Sequence, residues 1–577
     1  MVKKKTEDNA AFSIYHPLTQ TLLKNRGITM YEQAEKFLHP DYERDIHDPF
    51  LILNMEKAVE RILRAIDAEE KIVVYGDYDC DGIPGSVILH DFFKKIGYKN
   101  FENYIPHRHD EGYGLNTDAV DEFAKNGTSL LITVDCGITD VKEVAHANSF
   151  GIDVIVTDHH LPVCRDLGTG RPQEVLPSAF AILNSKQKGD TYPDNMLCGA
   201  GLVWKLVHAL LKKRAKEWNI GEGWEKWLLD MAGLSTIADM VPLRNENRVL
   251  AHYGLKVLRK SPRPGLMKLF RKLRVDQRYL TEEDVGFTIA PRVNAASRMG
   301  IPFDAFRLLS TTDETEADVL SDHLNEMNET RKGVVAVMIK EAKKKITSRE
   351  MREVIVVGNP AWKPGVLGLA ANRLMEDYGR PVFVWGREGG THIKGSCRSD
   401  GSINVVELMV NVRQGIFLDV GGHELAGGFS ISHEQIHFLE EEIILAYKKI
   451  EKKLSIDEAM AVESTLSLDQ VIWDTQRLVD QFAPFGIGNP KPLFLFEGVE
   501  IKGVKTFGKE KNHLELQFEN SSGKKIPAIG FFISPENFKT VIEEGKFINL
   551  VATLEKSMFR GRPELRLRIV DIQNPKN

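Results

Sequence analysis

The 577-residue chain is 42% hydrophobic and 27% charged, the make-up of an ordinary globular protein large enough for three or four domains. No run approaches the roughly 18 apolar residues of a membrane span, and the basic start MVKKKTEDNAAF lacks the apolar stretch of a secretory signal. Five Cys (80, 136, 164, 198 and 397), odd in number and without a CxxC, argue against a disulfide framework or zinc ribbon and for a reducing, cytoplasmic setting. The net charge of −6 conceals a gradient, because residues 501–577 carry 14 Lys+Arg against 9 Asp+Glu. A local basic face suits phosphate-backbone binding, although composition alone favours a solvated surface.

In chain order, residues 1–56 form a small helical lead-in. From 57 to 262 short apolar strands alternate with helical stretches (Gly85–Ile96, Asp140–Phe150, Leu197–Asn219, Glu225–Ile237), the rhythm of a doubly wound α/β domain. Residues 263–348 read as helical, with a long connector helix over Asp313–Lys345. A smaller α/β unit follows over 349–455: strands EVIVVG and PVFVWG, a helix over Gly365–Tyr378, then glycine-rich stretches at 395–399 and 421–428. From 456 to 577 short strands separated by turns suggest a small β-barrel of the oligonucleotide-binding (OB) kind.

Three strand ends concentrate the chemistry. KIVVYG (71–76) runs into Asp77-Tyr78-Asp79-Cys80-Asp81-Gly82, LLITV (130–134) into Asp135-Cys136-Gly137, and DVIVT (153–157) into Asp158-His159-His160. Parallel α/β sheets bind ligands beyond the carboxyl ends of their strands. Five Asp and two His would therefore meet in one crevice, where so many like charges require cations. Each acid alone is more often a turn or helix cap; their combination carries the inference. DxDxDG also occurs in calcium loops, but those need a preceding helix and a Glu at the twelfth position. Oxygen-rich ligation with one or two His suits Mn²⁺ or Mg²⁺ better than Zn²⁺. Two such ions could activate water and stabilise the leaving oxygen of a phosphodiester. There is no GxxxxGK[ST] loop for ATP and no GxSxG elbow.

DYDCDG, VDCG and VTDHH, in this order, resemble the motifs of the DHH phosphoesterase superfamily. IADMVPL (237–243) resembles its later metal-binding Asp element, and RVNAASRM (292–299) resembles the RINAAGRM element of the RecJ branch. AWKPGVLGLAANRL, GSCRS and GGHELAGGFSI resemble the DHHA1 domain, and PFGIGNPKPLF the entry to the RecJ-type OB domain. The resemblance spans nearly the whole chain. It implies a metal-dependent 5′→3′ exonuclease converting single-stranded DNA to 5′-mononucleotides in repair and recombination, with Mn²⁺ or Mg²⁺ in a two-metal site. It implies metal ligands at Asp79, Asp81, Asp135, His159 and Asp239, with Asp135 as the bridge and Asp77 and Asp158 as direct or supporting acids. His160 is expected at the scissile phosphate, and Ser396, Arg398, His423, Arg292, Asn294 and Arg298 along the DNA; Arg292 and Asn294 could instead pin the connector helix.

A monomer is expected, with no membrane association, alongside a helicase and a single-strand-binding protein. The barrel would track the strand through Lys502, Lys505, Lys509, Lys511, Arg560, Arg562, Arg566 and Arg568, with Phe507 or Phe559 for stacking. The chain departs from the pattern at Tyr75, where relatives place a His, at Lys363 within the WHPG-like string, and at Cys80, Pro84 and Cys397. Two rivals remain open: a DHH enzyme acting on short RNA or cyclic dinucleotides, and a catalytically dead DNA-binding scaffold.

Overall fold

Ile72, Val73, Val74 and Tyr75 are all fully buried, as expected of a strand covered on both faces. The computed structural model describes residues 10–166, 172–387, 392–452, 461–508, 511–557 and 563–575. Lys71–Gly76 forms β1, Phe101–Tyr104 β2, Thr128–Val134 β3 and Asp153–Thr157 β4. Val163–Asp166 (β5) and Pro172–Val175 (β6) make a separate antiparallel ribbon, and Ala181–Leu183 is β7. The main sheet has the order β2-β1-β3-β4-β7, parallel throughout. The chain leaves β1 on one side for β2 and returns on the other as β3. The carboxyl ends of β1 and β3 therefore flank a topological switch point, the place where such sheets open a crevice.

The helix after β1 begins at Gly82 and runs to Lys95. Pro84 is its third residue, where the missing N–H would have had no intrahelical partner. The connector helix spans Glu314–Thr347, 34 residues, with Asp313 accepting the backbone N–H groups of Thr315 and Glu316. Its buried residues fall in two sets, Ala317 to Asn328 and Met338 to Ile346. The second set joins a core with Ile355, Val357, Leu367 and Leu374, so the far end of the helix is built into the second lobe. That lobe holds Ile355–Gly358 (β8), Val382–Gly386 (β9), Ile393–Arg398 (β10), Phe417–His423 (β11) and Ala426–Ile431 (β12), in the order β11-β12-β10-β9-β8. Only β8 and β9 pair in parallel, so its sheet is mixed. Cys397 lies in the core of this lobe beside Met409.

Met1–Asp48, Met240–Tyr253 and Glu458–Asn577 make a separate unit. Its seven-stranded sheet comprises Ser464–Thr465 (β13), Phe494–Glu500 (β14), Gly503–Phe507 (β15), His513–Glu519 (β16), Lys525–Gly530 (β17), Phe547–Ser557 (β18) and Glu564–Gln573 (β19), in the order β13-β14-β18-β19-β17-β16-β15. The N-terminal lead-in is part of this unit: Leu18, Leu22, Leu23 and Leu38 share one core with Phe494, Phe496, Leu514 and Leu550. The buried Arg248 guanidinium joins the pieces by donating to the carbonyls of Phe37, Gln481, Phe482, Ala483 and Pro484. No short-range sequence pattern announces such a long-range clamp.

Candidate metal centre and phosphate cleft

One further ladder bond places each acid at its strand end. The backbone N–H of Asp77 donates to the carbonyl of Val134, that of Asp135 to Thr157, and that of Asp158 to Leu183. Asp135 turns the chain with φ 62°, a left-handed conformation that Asp tolerates better than most residues. In the first loop, Asp79 Oδ1 accepts from the N–H of Asp81 at 2.7 Å and of Gly82 at 3.2 Å. Gly82 is required there, since a Cβ would lie 2.4 Å from the Asp77 carbonyl oxygen. Asp81 is seated on the N-terminus of the helix Gly199–Arg214, its two oxygens accepting from Gly199 N at 2.6 Å and Ala200 N at 2.8 Å. A helix N-terminus stabilises an anion in that position.

Asp239 caps the C-terminus of the helix Leu229–Ala238. That is the electronegative end of the helix, so an acid there gains from a nearby cation. Ser235 of the same helix donates to the Cys80 carbonyl at 3.1 Å, and Asn294 accepts from the Cys80 N–H at 2.8 Å.

His159 joins these acids. Its Nε2 lies 3.2 Å from Asp135 Oδ1, 3.6 Å from Asp239 Oδ2 and 3.7 Å from Asp81 Oδ2. Donor atoms of Asp81, His159 and Asp239 lie within 4.8 Å of one another, as do those of Asp77, Asp79 and Asp135, and those of Asp135, His159 and His160. Asp135 thus belongs to two of the groups.

Burial and mutual repulsion act together here. Burial and the Asp79 charge hold Asp77 well above the usual carboxylate range, and burial with Asp81, Asp79 and Asp77 does the same to Asp135. Burial with Asp79 raises Asp81 to about 6, and burial with Asp81 and Asp79 raises Asp239 to about 9. Burial, His160 and Lys186 lower His159 to about 3, leaving a neutral imidazole. Asp77 Oδ1 and Asp135 Oδ1 are buried without a hydrogen bond. Five carboxylates around a neutral imidazole, with unsatisfied oxygens, fit hard divalent cations.

Asp158 is engaged differently. Its Oδ1 accepts from His160 Nδ1 at 2.8 Å and His160 N at 3.0 Å, and its Oδ2 from Ile138 N at 2.9 Å. Although burial opposes it, the His160 hydrogen bond and charge hold Asp158 below the carboxylate range. Burial also opposes the charge on His160, but Asp158 raises that ring to about 9. The Tyr113 hydroxyl reaches His160 Nδ1 at 3.0 Å and donates to the Asp135 carbonyl at 3.2 Å.

From the second lobe, the His423 ring lies parallel to His160, centroids 6.4 Å apart. A cavity of about 700 Å³ extends alongside, lined by Tyr78, Arg108, Tyr113, Arg298, Ser396 and Arg398 among others. Burial with Arg108 and Arg331 lowers Arg298 to about 9, and burial lowers Arg398. Arg298 donates to the Gly365 carbonyl, and Arg398 to Ser396 Oγ and the Cys397 carbonyl. Half-buried guanidiniums held by neutral acceptors suit an anion.

The structure therefore gathers Asp77, Asp79, Asp81, Asp135, His159, His160 and Asp239, sets Asp158 behind His160, and lines the cavity with Arg298, Ser396 and Arg398. Arg292 is not in the cavity: it binds the Thr288 carbonyl and Asn325 of the connector helix. Asn294 holds the acidic loop. Sequence reasoning missed Arg108, Tyr113, Asn184 and Lys186. The usable signal was the fourth strand end, AIL followed by Asn184-Ser185-Lys186; Arg108 and Tyr113 sit in a loop without periodicity.

Of the C-terminal candidates, Lys505 and Lys511 are exposed, while Lys502 pairs with Glu500 and Arg566 with Glu555, each at 2.7 Å. Phe507 packs 5.1 Å from His513, and Arg568 lies over the Phe531 ring at 4.6 Å. Lys509, Phe559, Arg560 and Arg562 lie outside the described residues.

Three family descriptions match the chain: the DHH family, N-terminal domain, over residues 71–236, the DHHA1 domain over 352–454, and the RecJ OB domain over 462–571. The single-stranded-DNA-specific exonuclease RecJ of Bacillus subtilis is 35% identical over 558 residues, 96% of this chain and 68% of that protein. The Escherichia coli protein of the same name is 31% identical, covering 96% of each chain. Among solved structures, RecJ from Thermus thermophilus in complex with Mn²⁺ superposes with a TM-score of 0.79 at 25% identity, covering 98% of this chain and 78% of that one.

Proposed function

This chain belongs to the RecJ family of single-stranded-DNA-specific exonucleases, and from that premise we propose how its residues carry the reaction. It is a metal-dependent exonuclease that hydrolyses single-stranded DNA. The finer reading is hydrolysis from the 5′ end, releasing 5′-mononucleotides, in DNA repair and recombination. The observation that carries the hydrolysis is the buried carboxylate–imidazole cluster beside a cavity lined by guanidiniums; the polarity, products and pathway rest on the family resemblance.

Asp81, His159 and Asp239 would hold one divalent ion, Asp77 and Asp79 a second, and Asp135 would serve both. Mn²⁺ or Mg²⁺ bound there supplies positive charge to the phosphate and makes water a better nucleophile. Asp158 fixes the His160 proton on Nδ1 and keeps the ring cationic, and Tyr113 steadies that ring. His160 is then a charged donor beside the phosphate undergoing attack. Arg298, Arg398 and Ser396 hold a neighbouring strand phosphate through charge-assisted hydrogen bonds. His423 closes on the same phosphate path from the second lobe.

In the C-terminal unit, Phe507, Phe531 and the Arg568 guanidinium are a surface for stacked bases and backbone. Among the described residues no helix is long and apolar enough to cross a membrane, and the five cysteines are free. Free cysteines support a cytoplasmic setting. The chain would act there as a monomer. Lacking an ATP loop, it would receive its strand from a helicase and share it with a single-strand-binding protein.

The test is digestion of a long single strand labelled at either end, in Mn²⁺, beside di- to pentanucleotides. Release of 5′-labelled mononucleotide from the long strand supports the reading. Cleavage of only the short substrates, or first release of the 3′ label, overturns it. Mn²⁺-dependent activity that survives Asp135→Ala overturns the assignment of the centre.

A further inference from the structure

The fourth strand of the first sheet contributes to the same crevice. Leu183, the last residue of β7, accepts the N–H of Asp158. The turn that follows is bonded to His160. Asn184, fully buried, donates Nδ2 to the His160 carbonyl at 2.8 Å and accepts the Lys186 N–H at 2.8 Å. One side chain thus locks the turn against His160. Lys186 is half-buried, and among the described residues no ion pair or hydrogen bond engages its ammonium. Its charge acts on Asp239, Asp158, Asp135 and Asp81 from the first lobe, and on His423 from the second. Lys186 thus starts from a turn bonded to His160, and its ammonium, close enough to feel both the acid cluster and His423, has three donors available.

We propose that Lys186 is a catalytic residue of the hydrolysis, its ammonium contacting a non-bridging oxygen of the scissile phosphate. The inference rests on the exonuclease reading above and deepens it. In that reaction a water oxygen bonds to phosphorus as the bond from phosphorus to the 3′ oxygen of the departing nucleotide breaks. One water proton ends on that 3′ oxygen, and the remaining strand keeps the 5′ phosphate. Lys186 keeps its own proton throughout and offsets charge on the non-bridging oxygens as phosphorus becomes five-coordinate. A donor aimed at developing charge in a site shielded from water acts mainly on kcat. A lysine that only balanced the acids would act on metal binding.

The experiment compares wild type with Lys186→Ala, Lys186→Gln and Lys186→Arg. It measures kcat and KM on a long single strand, Mn²⁺ binding by calorimetry without DNA, and unfolding by circular dichroism. Expected for the Ala and Gln variants is a fall in kcat of roughly 10²–10³-fold, with the Mn²⁺ dissociation constant within threefold of wild type and the unfolding midpoint preserved. The Arg variant, which keeps a charged donor, recovers part of kcat. The assignment is overturned if Lys186→Ala keeps kcat within twofold of an active wild type. It is equally overturned if the variant's Mn²⁺ binding changes tenfold while saturating Mn²⁺ restores kcat. A wild-type chain that leaves single-stranded DNA intact instead overturns the exonuclease reading, and this assignment with it.

Discussion

The Tyr75 hydroxyl, buried within the first sheet, donates to the carbonyl of Gly114 at 2.8 Å. The same hydroxyl accepts from Asn116 Nδ2 at 3.2 Å, and the Tyr75 ring stacks on Tyr104 with centroids 5.3 Å apart. These contacts anchor the loop that carries Tyr113 to His160. Gly112 and Gly114 both have positive φ, and a Cβ on Gly114 would lie 2.7 Å from the Asp140 carboxylate. The sequence pattern suggested that Tyr75 costs the site a possible ligand. In the structure the residue supports the site through Tyr113.

Replacing Tyr75 with Phe leaves the Gly114 carbonyl without its donor. A buried acceptor left unpaired costs about 1–3 kcal/mol, so the urea midpoint falls with an unchanged slope. The kcat falls as well, because Tyr113 loses its anchorage. An unchanged midpoint would show that water replaces the phenol.

Asn294 sits in an element that resembles a DNA-contacting motif, yet its Oδ1 accepts the Cys80 N–H. Asn294→Ala orphans that N–H and frees the loop bearing Asp79 and Asp81. Mn²⁺ binding weakens by roughly 10–100-fold, the scale expected when a support for metal ligands is lost. Affinity for single-stranded DNA measured without metal stays within twofold. The opposite pattern, weak DNA binding with intact Mn²⁺ binding, would return Asn294 to the strand.

This contrast shows what was legible in the sequence. A strand followed by an acid is a local pattern, so the ends of β1, β3 and β4 could be read from periodicity and residue type alone. Asp239 could not, because it ends a helix and reaches the cluster through tertiary packing, and only the family resemblance found it. The bonds that orient the ligands join residues far apart in the chain: Asp81 to Gly199, Cys80 to Asn294, His160 to Asn184. No periodicity records them. For the same reason the helices near Leu22 and Leu38 read only as a small lead-in, with no sign that they share a core with the C-terminal strands.

Asp140 gives the fold a pH dependence outside the metal cluster. Burial raises its carboxyl to about 6, with a smaller push from Glu143, while its Oδ2 accepts the Leu115 N–H at 2.7 Å. A carboxyl whose folded pKa lies above the unfolded value holds its proton more tightly in the native state. Its stabilising contribution is full below about pH 4 and is lost as pH rises through about 6. Asparagine cannot ionise. Relative to wild type, Asp140→Asn should therefore gain up to about 3 kcal/mol of stability between about pH 4 and pH 7, at about 1.4 kcal/mol for each pH unit separating the folded and unfolded pKa values. Urea titrations at a series of pH values measure this; parallel stability curves for the two proteins would exclude it.

Arg398 presents a half-buried guanidinium that, among the described residues, is held by Ser396 Oγ and the Cys397 carbonyl. If it binds a strand phosphate, Arg398→Ala raises KM for long single strands more than it lowers kcat. It also makes the slope of log affinity against log salt shallower by roughly 0.7, one phosphate contact on a single strand. Arg398→Lys keeps the charge and loses the planar fork, so it retains the salt slope while affinity falls. A salt slope unchanged in Arg398→Ala would remove Arg398 from the phosphate path.

Phe532 is 79% exposed and has φ 56°, a left-handed conformation that disfavours an aromatic residue. Its N–H donates to His513 Nδ1 at 2.9 Å, and the two rings meet at 4.8 Å. The Phe507 and Phe531 rings lie on the same histidine. An exposed aromatic held in such a conformation costs roughly 1–2 kcal/mol, which marks it as a candidate for base stacking. Glycine relieves the strain and removes the ring, whereas alanine removes the ring alone. Phe532→Gly should therefore be more stable than Phe532→Ala. Both should bind single-stranded DNA more weakly by about 1–3 kcal/mol, the worth of one stacked base. Fluorescence anisotropy with a labelled oligothymidylate reads the binding and urea unfolding reads the stability. Wild-type affinity in the glycine variant would show that the strand does not run over this ring.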